Sequence, residues 1–185
     1  MKIATIVGAR PQFIKTAPIS IKIKDSIDSL SEIIIHTGQH FEKNMSNIFF
    51  DEMKIPKPKF NLNINQINYG QMIENMVQGI KPILYNENIN GVLVYGDTNS
   101  TLAGSIAAKQ IDIPLFHVEA GLRSNDRSMY EENNRIITDH LSDLLFCPNK
   151  NAVNNLAGEN LTEGVFFSGD IMLDAYIKFN SFKKS

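Results

Sequence analysis

Val92-Leu93-Val94-Tyr95-Gly96-Asp97-Thr98, with Ile113-Pro114-Leu115-Phe116-His117-Val118-Glu119-Ala120-Gly121-Leu122-Arg123 behind it, is the stretch on which the reading of the fold turns. Each piece is an apolar run that stops at a polar cluster. Parallel strands buried on both faces produce such runs, and the ligands of open α/β sheets gather at the carboxyl ends of their strands. A further cluster, Glu131-Glu132 with Arg135, opens the next amphipathic segment. Carboxylates set down at successive strand ends point to one shared site.

Working outward, the same alternation covers the chain. Strands are expected at 3–7, 31–36, 92–95, 113–118, 144–146 and 165–167. Helices are expected from Pro11 onward and at 42–52, 71–85, 101–109, 131–140 and 151–156. Pro11 suits a first helical turn, where its missing N–H costs nothing. The apolar set of the first helix is Ile14, Ala17, Ile19 and Ile21. That of 71–85 is Ile73, Met76, Val77, Ile80, Ile83 and Leu84, with Pro82 a point for a kink. In 131–140, Ile136 and Ile137, with Leu141, are expected to face inward. Residues 64–69 read as a linker or short edge element. Strands alternating with helices predict a doubly wound parallel sheet of Rossmann-like α/β class.

Length and composition narrow the options. A chain of 185 residues, 43% of them hydrophobic, suffices for one domain with its own core. A net charge of −2 exerts no general pull toward nucleic acid or anionic membrane. The single cysteine, Cys147, allows no internal disulfide and fits a reducing, cytoplasmic setting. The first residues, Met1-Lys2-Ile3-Ala4-Thr5-Ile6-Val7, are too short for a signal peptide and run into Gly8-Ala9-Arg10-Pro11. No apolar run has the length of a bilayer span.

Several residues carry candidate chemistry, each with a plainer reading beside it. In Gly8-Ala9-Arg10-Pro11 the glycine permits close approach of a ligand. Arg10 can grip phosphate as a fork, and Lys15 one turn later adds charge. The same residues also suit an ordinary tight turn with a surface arginine. The loop lacks both G-x-G-x-x-G and the Lys-Ser/Thr ending of a P-loop, which disfavours an NAD or ATP site of either standard type. Asp97 is placed as a base or as an acceptor for a sugar hydroxyl, or else it caps the following helix with Thr98. Glu119 is an acid–base candidate or a salt-bridge partner of Arg123 or Arg10. His117-x-Glu119 opens like a zinc deaminase signature, but Pro-Cys-x-x-Cys is missing and so is the zinc ligand set. Glu131 begins a helix, where the dipole favours acids, and stands at i,i+4 to Arg135. His40, in Thr37-Gly38-Gln39-His40, is a site candidate. His36 and His140 read as packing residues, and Cys147 and the methionines as core. No G-x-S-x-G elbow supports acyl transfer.

Jointly, these motifs resemble the non-hydrolysing UDP-N-acetylglucosamine 2-epimerase family. The resemblance begins in Gly8-Ala9-Arg10-Pro11-Gln12-Phe13-Ile14-Lys15 and His36-Thr37-Gly38-Gln39-His40. It is strongest in Tyr95-Gly96-Asp97-Thr98-Asn99-Ser100-Thr101 and His117-Val118-Glu119-Ala120-Gly121-Leu122-Arg123-Ser124. It continues in Glu131-Glu132-Asn133-Asn134-Arg135, 138–148 and Gly169-Asp170, covering nearly the whole chain. Residues 44–50 and Met129 also resemble the branch acting on modified UDP-sugars. Hydrolysing epimerases usually carry an arginine where this chain has Thr98, and Gly-Gly-Glu where it has Ala120-Gly121-Leu122.

The resemblance implies C2 inversion of a UDP-2-acetamido sugar by elimination of UDP and its re-addition through a 2-acetamidoglucal, with no redox cofactor and no metal. It implies Asp97, Glu119 and Glu131 as the catalytic carboxylates, and Arg10, Lys15, Gln39 and His40 as substrate-binding residues. It further implies a GT-B arrangement with residues 1–170 as the N-terminal Rossmann-like domain. Residues 171–185 would begin the crossover to a C-terminal domain that this chain lacks, leaving it inactive alone, and a homodimer is an option. Tyr130 stands where the family usually has proline, and Asn133 replaces an aliphatic residue. Two other readings stay open: a non-catalytic binding domain derived from such an epimerase, and the acceptor-side domain of a GT-B glycosyltransferase.

Overall fold

Apolar runs bounded by turn residues become strands here because both faces of the sheet are covered. The computed structural model describes residues 1–26, 29–38, 55–65 and 68–180. In chain order the elements are β1 (Lys2–Val7), α1 (Arg10–Ser26), β2 (Ser31–His36), β3 (Phe60–Asn61), α2 (Tyr69–Asn86), β4 (Gly91–Tyr95) and α3 (Asn99–Gln110). Then come β5 (Leu115–Val118), α4 (Tyr130–Leu141), β6 (Leu144–Cys147), α5 (Lys150–Gly158), β7 (Val165–Phe167) and α6 (Ile171–Asn180). The strands lie in the order β3-β2-β1-β4-β5-β6-β7, and every neighbouring pair is parallel. This is the doubly wound sheet that the alternation predicts.

Successive strand residues serve opposite faces. Ala4, Ile6, Val92, Val94 and Leu115 pack against Met76, Val77, Ile80 and Leu84 of α2 and against Ala103, Ala107 and Ala108 of α3. Small residues let α3 lie close: a Cβ on Gly104 would come within 3.0 Å of Ile6 and 3.1 Å of Val94. On the other face Val7 and Ile34 pack with Phe13 and Ala17 of α1, and Ile3, Leu93, Tyr95 and Val118 form a second cluster. Helix α6 returns to that face, bringing Phe179 and Ile171 against these two clusters. Among the described residues no helix is long and apolar enough to cross a membrane. An apolar cleft of about 580 Å³, lined by Ile3, Ile19, Leu93, Phe116, Phe146 and Ile171 among others, lies on this same face, and none of the candidate carboxylates lines it.

Several expectations need correction. Strand β5 begins at Leu115 and not at Ile113, because the Ile113 N–H is spent on Ala108 O at the end of α3 and Pro114 has no N–H to give. An edge strand not expected from the sequence lies at Phe60–Asn61, and the left-handed Asn63 (φ 52°) turns the chain just past it. The inward side of α1 carries Gln12, Phe13, Thr16, Ala17, Ser20 and Ile23, while Ile14, Ile19 and Ile21 are half-buried. On α4 Ile137 points to solvent, and Glu132, Asn134, Thr138 and Asp139 are buried instead. His140 is exposed, as are Met129 and Met172, whereas Met76 and Cys147 are core. The helix expected at 42–52 lies outside the described residues.

Candidate functional site

Strands β1 and β4 are neighbours whose following connections lead to opposite sides of the sheet, β1 toward β2 and β4 toward β5. That switch point opens a crevice at the carboxyl ends of the strands, the usual ligand position in such sheets. The turn after β1 is set by Gln12 of α1. Its Oε1 accepts from the N–H of Gly8 (2.8 Å) and Ala9 (3.1 Å), and its Nε2 donates to Tyr95 O (3.1 Å) and Thr101 Oγ1 (3.0 Å). One buried amide thus ties the first turn to the end of β4. Gly8 admits no side chain, since a Cβ would meet Ser100 Oγ at 2.0 Å and Thr37 Oγ1 at 2.2 Å.

The turn after β4 carries Gly96 at φ 62° and Asp97. Thr98 caps α3, its side chain accepting from the Thr101 N–H, so the cap does not need Asp97. The Asp97 carboxylate is ion-paired with Arg135 of α4, whose other nitrogen lies 3.4 Å from Glu132. After β5, Glu119 adopts φ 72°, a left-handed conformation that L-residues with side chains seldom hold. Its carboxylate is paired with Lys15 of α1, while Arg123 pairs with Asp139 and Glu159. Oε2 is sealed from solvent and carries the Lys15 ammonium as its counter-charge. A Cβ on Gly96 would lie 3.3 Å from Lys15 Nζ and 3.9 Å from Glu119 Oε2, so the glycine leaves room for this pair.

Behind the pair runs a buried polar chain. His117, fully buried, sets Nε2 2.8 Å from Gly96 O and Nδ1 2.7 Å from Asp139 Oδ1. Both ring nitrogens thus have an oxygen within hydrogen-bonding distance. Asp139 Oδ2 accepts from Gly121 N–H (3.1 Å) and Arg123 Nη1 (2.7 Å). Burial alone would raise the Asp139 pKa, but His117 and Arg123 outweigh it and hold it below the ordinary value. Arg123 goes on to clasp Glu159 through Nε and Nη2 at 2.6 and 2.8 Å; against the opposing effect of burial, these partners keep it more firmly protonated than usual.

Glu131 is exposed at the start of α4, and Arg135 pairs with Asp97 and Glu132, not with it. Beside it Tyr69 and Tyr130 stack with centroids 4.4 Å apart. Tyr69 donates to Asn134 Oδ1, and Asn134 Nδ2 donates to Asp97 O (2.9 Å) and Asn99 Oδ1 (3.2 Å). Burial first, and the nearby Glu131 charge second, raise the Tyr69 pKa. Arg10 is exposed at the first position of α1. Gln39 and His40 lie outside the described residues. His36 stacks on Phe13 and accepts from the Gly38 N–H, the packing role expected of it.

The structure therefore brings Lys15, Asp97 and Glu119 to one corner with Arg135. Sequence reasoning did not single out Tyr69, Asn134 and Asp139. The available signal was polar residues on the inward stripe of an amphipathic helix, which 134, 138 and 139 supply.

The profile of the UDP-N-acetylglucosamine 2-epimerase family matches residues 23–185. The chain belongs to that family. It is 52% identical over 177 residues to a UDP-N-acetylglucosamine 2-epimerase homolog of Methanococcus maripaludis, covering 96% of this chain and 49% of the relative. It is 50% identical over 182 residues to the UDP-2,3-diacetamido-2,3-dideoxy-D-glucuronate 2-epimerase of Pseudomonas aeruginosa, covering 97% and 51%. The crystal structure of the Methanocaldococcus jannaschii UDP-GlcNAc 2-epimerase, in complex with UDP-GlcNAc and UDP, superposes with a TM-score of 0.95 at 41% identity. It covers all of this chain and 51% of its own. The chain thus spans about half the length of the relatives it matches, and its sheet is the N-terminal half of the family's two-domain GT-B fold.

Proposed function

We propose that this chain supplies the N-terminal half of the active site of a UDP-2-acetamido-sugar 2-epimerase. The observation that carries the proposal is the pairing of Asp97 and Glu119, at the ends of neighbouring strands, with Arg135 and Lys15. A carbon acid as weak as the sugar C2–H needs placed carboxylates, and a departing diphosphate needs cations. In this reading one carboxylate of the set Asp97, Glu119 and Glu131 takes the C2 proton. The C1–O bond breaks with its electrons leaving on UDP, and a 2-acetamidoglucal remains. UDP then re-adds at C1 while a second carboxylate returns a proton to the opposite face of C2, so atoms balance as an isomerisation. Arg10 and Lys15 hold the diphosphate, and Gln39 and His40 are further substrate-binding residues. The domain division at residue 170, a cytoplasmic setting, a homodimer and a second domain that closes the cleft are parts of the same reading. The diacetamido-uronate relative supports a modified UDP-sugar as substrate beside UDP-N-acetylglucosamine.

A second reading, a non-catalytic binding domain, draws on Tyr130, which is 61% exposed at the helix start next to Glu131. One experiment separates the two. The chain is mixed with a separately produced C-terminal half of a relative in deuterated water, and the UDP-sugar is followed by NMR. Deuterium at C2 and the 2-epimer are expected only when both halves are present, with losses on the order of a hundredfold or more for Asp97→Asn and Glu119→Gln. Turnover by the chain alone, or a mixture indifferent to both substitutions, defeats the proposal.

A further inference from the structure

We propose that Ser20, Glu32 and Tyr95 form a buried site for one monovalent cation of sodium's class, between α1 and the sheet and apart from the strand-end crevice. Strand register places the residues. Glu32 of β2 pairs with Ile3 of β1, and Thr5 of β1 pairs with Leu93 of β4. Side chains alternate along a strand, so Thr5, Glu32 and Tyr95 all project from the face that α1 covers. Thr16 and Ser20, one helical turn apart, lie on the buried side of α1 and complete the layer. Apolar clusters flank it, with Val7, Phe13, Ala17 and Ile34 in one and Ile3, Leu93 and Ile19 in the other.

The hydrogen bonds of this layer do not close. Thr5 donates to Glu32 Oε1, and Thr16 spends its hydroxyl proton on Gln12 O at 2.8 Å. Ser20 Oγ, Tyr95 Oη and Glu32 Oε2 are shielded from solvent and make no hydrogen bond. Ser20 and Tyr95 are 1% and 0% exposed, so bulk water cannot serve them. The three groups are neighbours all the same: Ser20 lies beside the Glu32 carboxyl, and the Glu32 charge acts on the Tyr95 hydroxyl. Charge is unbalanced as well. Among the described residues no lysine, arginine or histidine is ion-paired with Glu32. Buried polar atoms without partners are costly, and an uncompensated charge is more so. One cation answers both deficits, taking lone pairs from two hydroxyl oxygens and one carboxylate oxygen. An all-oxygen set suits a hard ion, and one carboxylate balances a single charge. Calcium asks for a fuller oxygen shell, and magnesium keeps its waters. Burial raises the Glu32 pKa, so a proton is the rival occupant of the same oxygen. The cation would tie α1, which carries Lys15, to β2 and to Tyr95, the residue just before Gly96 and Asp97.

The probe is sodium chloride, exchanged for choline chloride at constant ionic strength and neutral pH while urea unfolding of the chain is followed. With a dissociation constant of about 10 mM, raising sodium from about 1 to about 100 mM should increase the wild-type folding constant on the order of tenfold. The sodium NMR signal should broaden when the chain is added. Glu32→Gln, which keeps the shape without the charge, should lose both effects. Tyr95→Phe and Ser20→Ala, which each remove one oxygen, should weaken the sodium response severalfold, and they decide the matter where Glu32→Gln does not fold. An equal response in wild type and Glu32→Gln, a response unchanged in both hydroxyl variants, or no sodium response each overturns the inference. A carboxylic-acid band in the infrared spectrum of wild type that Glu32→Gln removes would assign the place to a proton and overturn it too.

Discussion

Asp139 shows how much one side chain can hold. It receives His117, Arg123 and the Gly121 N–H, and through His117 it steadies the Gly96 carbonyl beside Asp97. Removing its charge leaves a buried guanidinium with Glu159 as its one remaining carboxylate and a buried imidazole with no anionic partner. Breaking a buried pair from one side typically costs about 3–5 kcal/mol. Asp139→Asn is therefore expected to lower the urea unfolding free energy by roughly that amount, while exposed His140→Asn changes it by less than about 0.5 kcal/mol. Comparable losses from both would show that the network carries no special weight. In sequence Asp139 was only one more polar residue on a helix, since nothing local records a partner at position 117.

Helix α4 is an element whose inward face is polar by design of its surroundings. Glu132 is buried there and accepts from the N–H groups of Ser124 and Asn125 at 3.0 and 2.9 Å, pinning the loop that follows Arg123. Burial alone would raise the Glu132 pKa, but those two N–H bonds, with Arg135 beside them, bring it below the ordinary value. Hydrogen bonds to a charged acceptor contribute about 1.5–3 kcal/mol each, so Glu132→Gln should speed amide exchange at Ser124 and Asn125 by at least about tenfold. Unchanged protection at both amides would mean that backbone packing alone sets the loop. The hydrophobic spacing located this helix and the packed Leu141 but took the exposed Ile137 as inward. Periodicity reads apolarity, and it is blind to a helix whose neighbours are a buried carboxylate network. The strands were more legible, because a run buried on both faces needs no partner to be recognised.

For the molecule as a whole, the seven-stranded sheet has cores on both faces, so one cooperative unfolding transition is expected and its pH dependence can be assigned. Burial lowers the His36 pKa from 6.5 to about 4, and its Nδ1 must stay unprotonated to accept from Gly38. Its folded pKa lies below the unfolded one. Its contribution is therefore complete above about pH 6.5 and lost as the pH falls through about 4, amounting to roughly 2–3 kcal/mol. Glu32 acts in the opposite sense, because burial raises its pKa against the hydrogen bond from Thr5. Urea unfolding of wild type and His36→Asn at stepped pH isolates the histidine: the variant keeps an acceptor but should lose the decline between pH 6.5 and 4. Parallel pH profiles would assign that decline elsewhere.

The sequence by itself determined the alternation of strand and helix, the sheet class and the places where polar clusters interrupt apolar runs. All of these follow from local periodicity and the requirement that a parallel sheet be covered on both faces. It also marked Asp97 and Glu119 as strand-end carboxylates. Only the tertiary structure decided their partners: Lys15 for Glu119, Arg135 for Asp97, and Asp139 for His117. The physical reason is that ion pairs form across space, between elements far apart along the chain. Which cation meets which carboxylate depends on strand order and helix rotation, and neither is written in a local pattern.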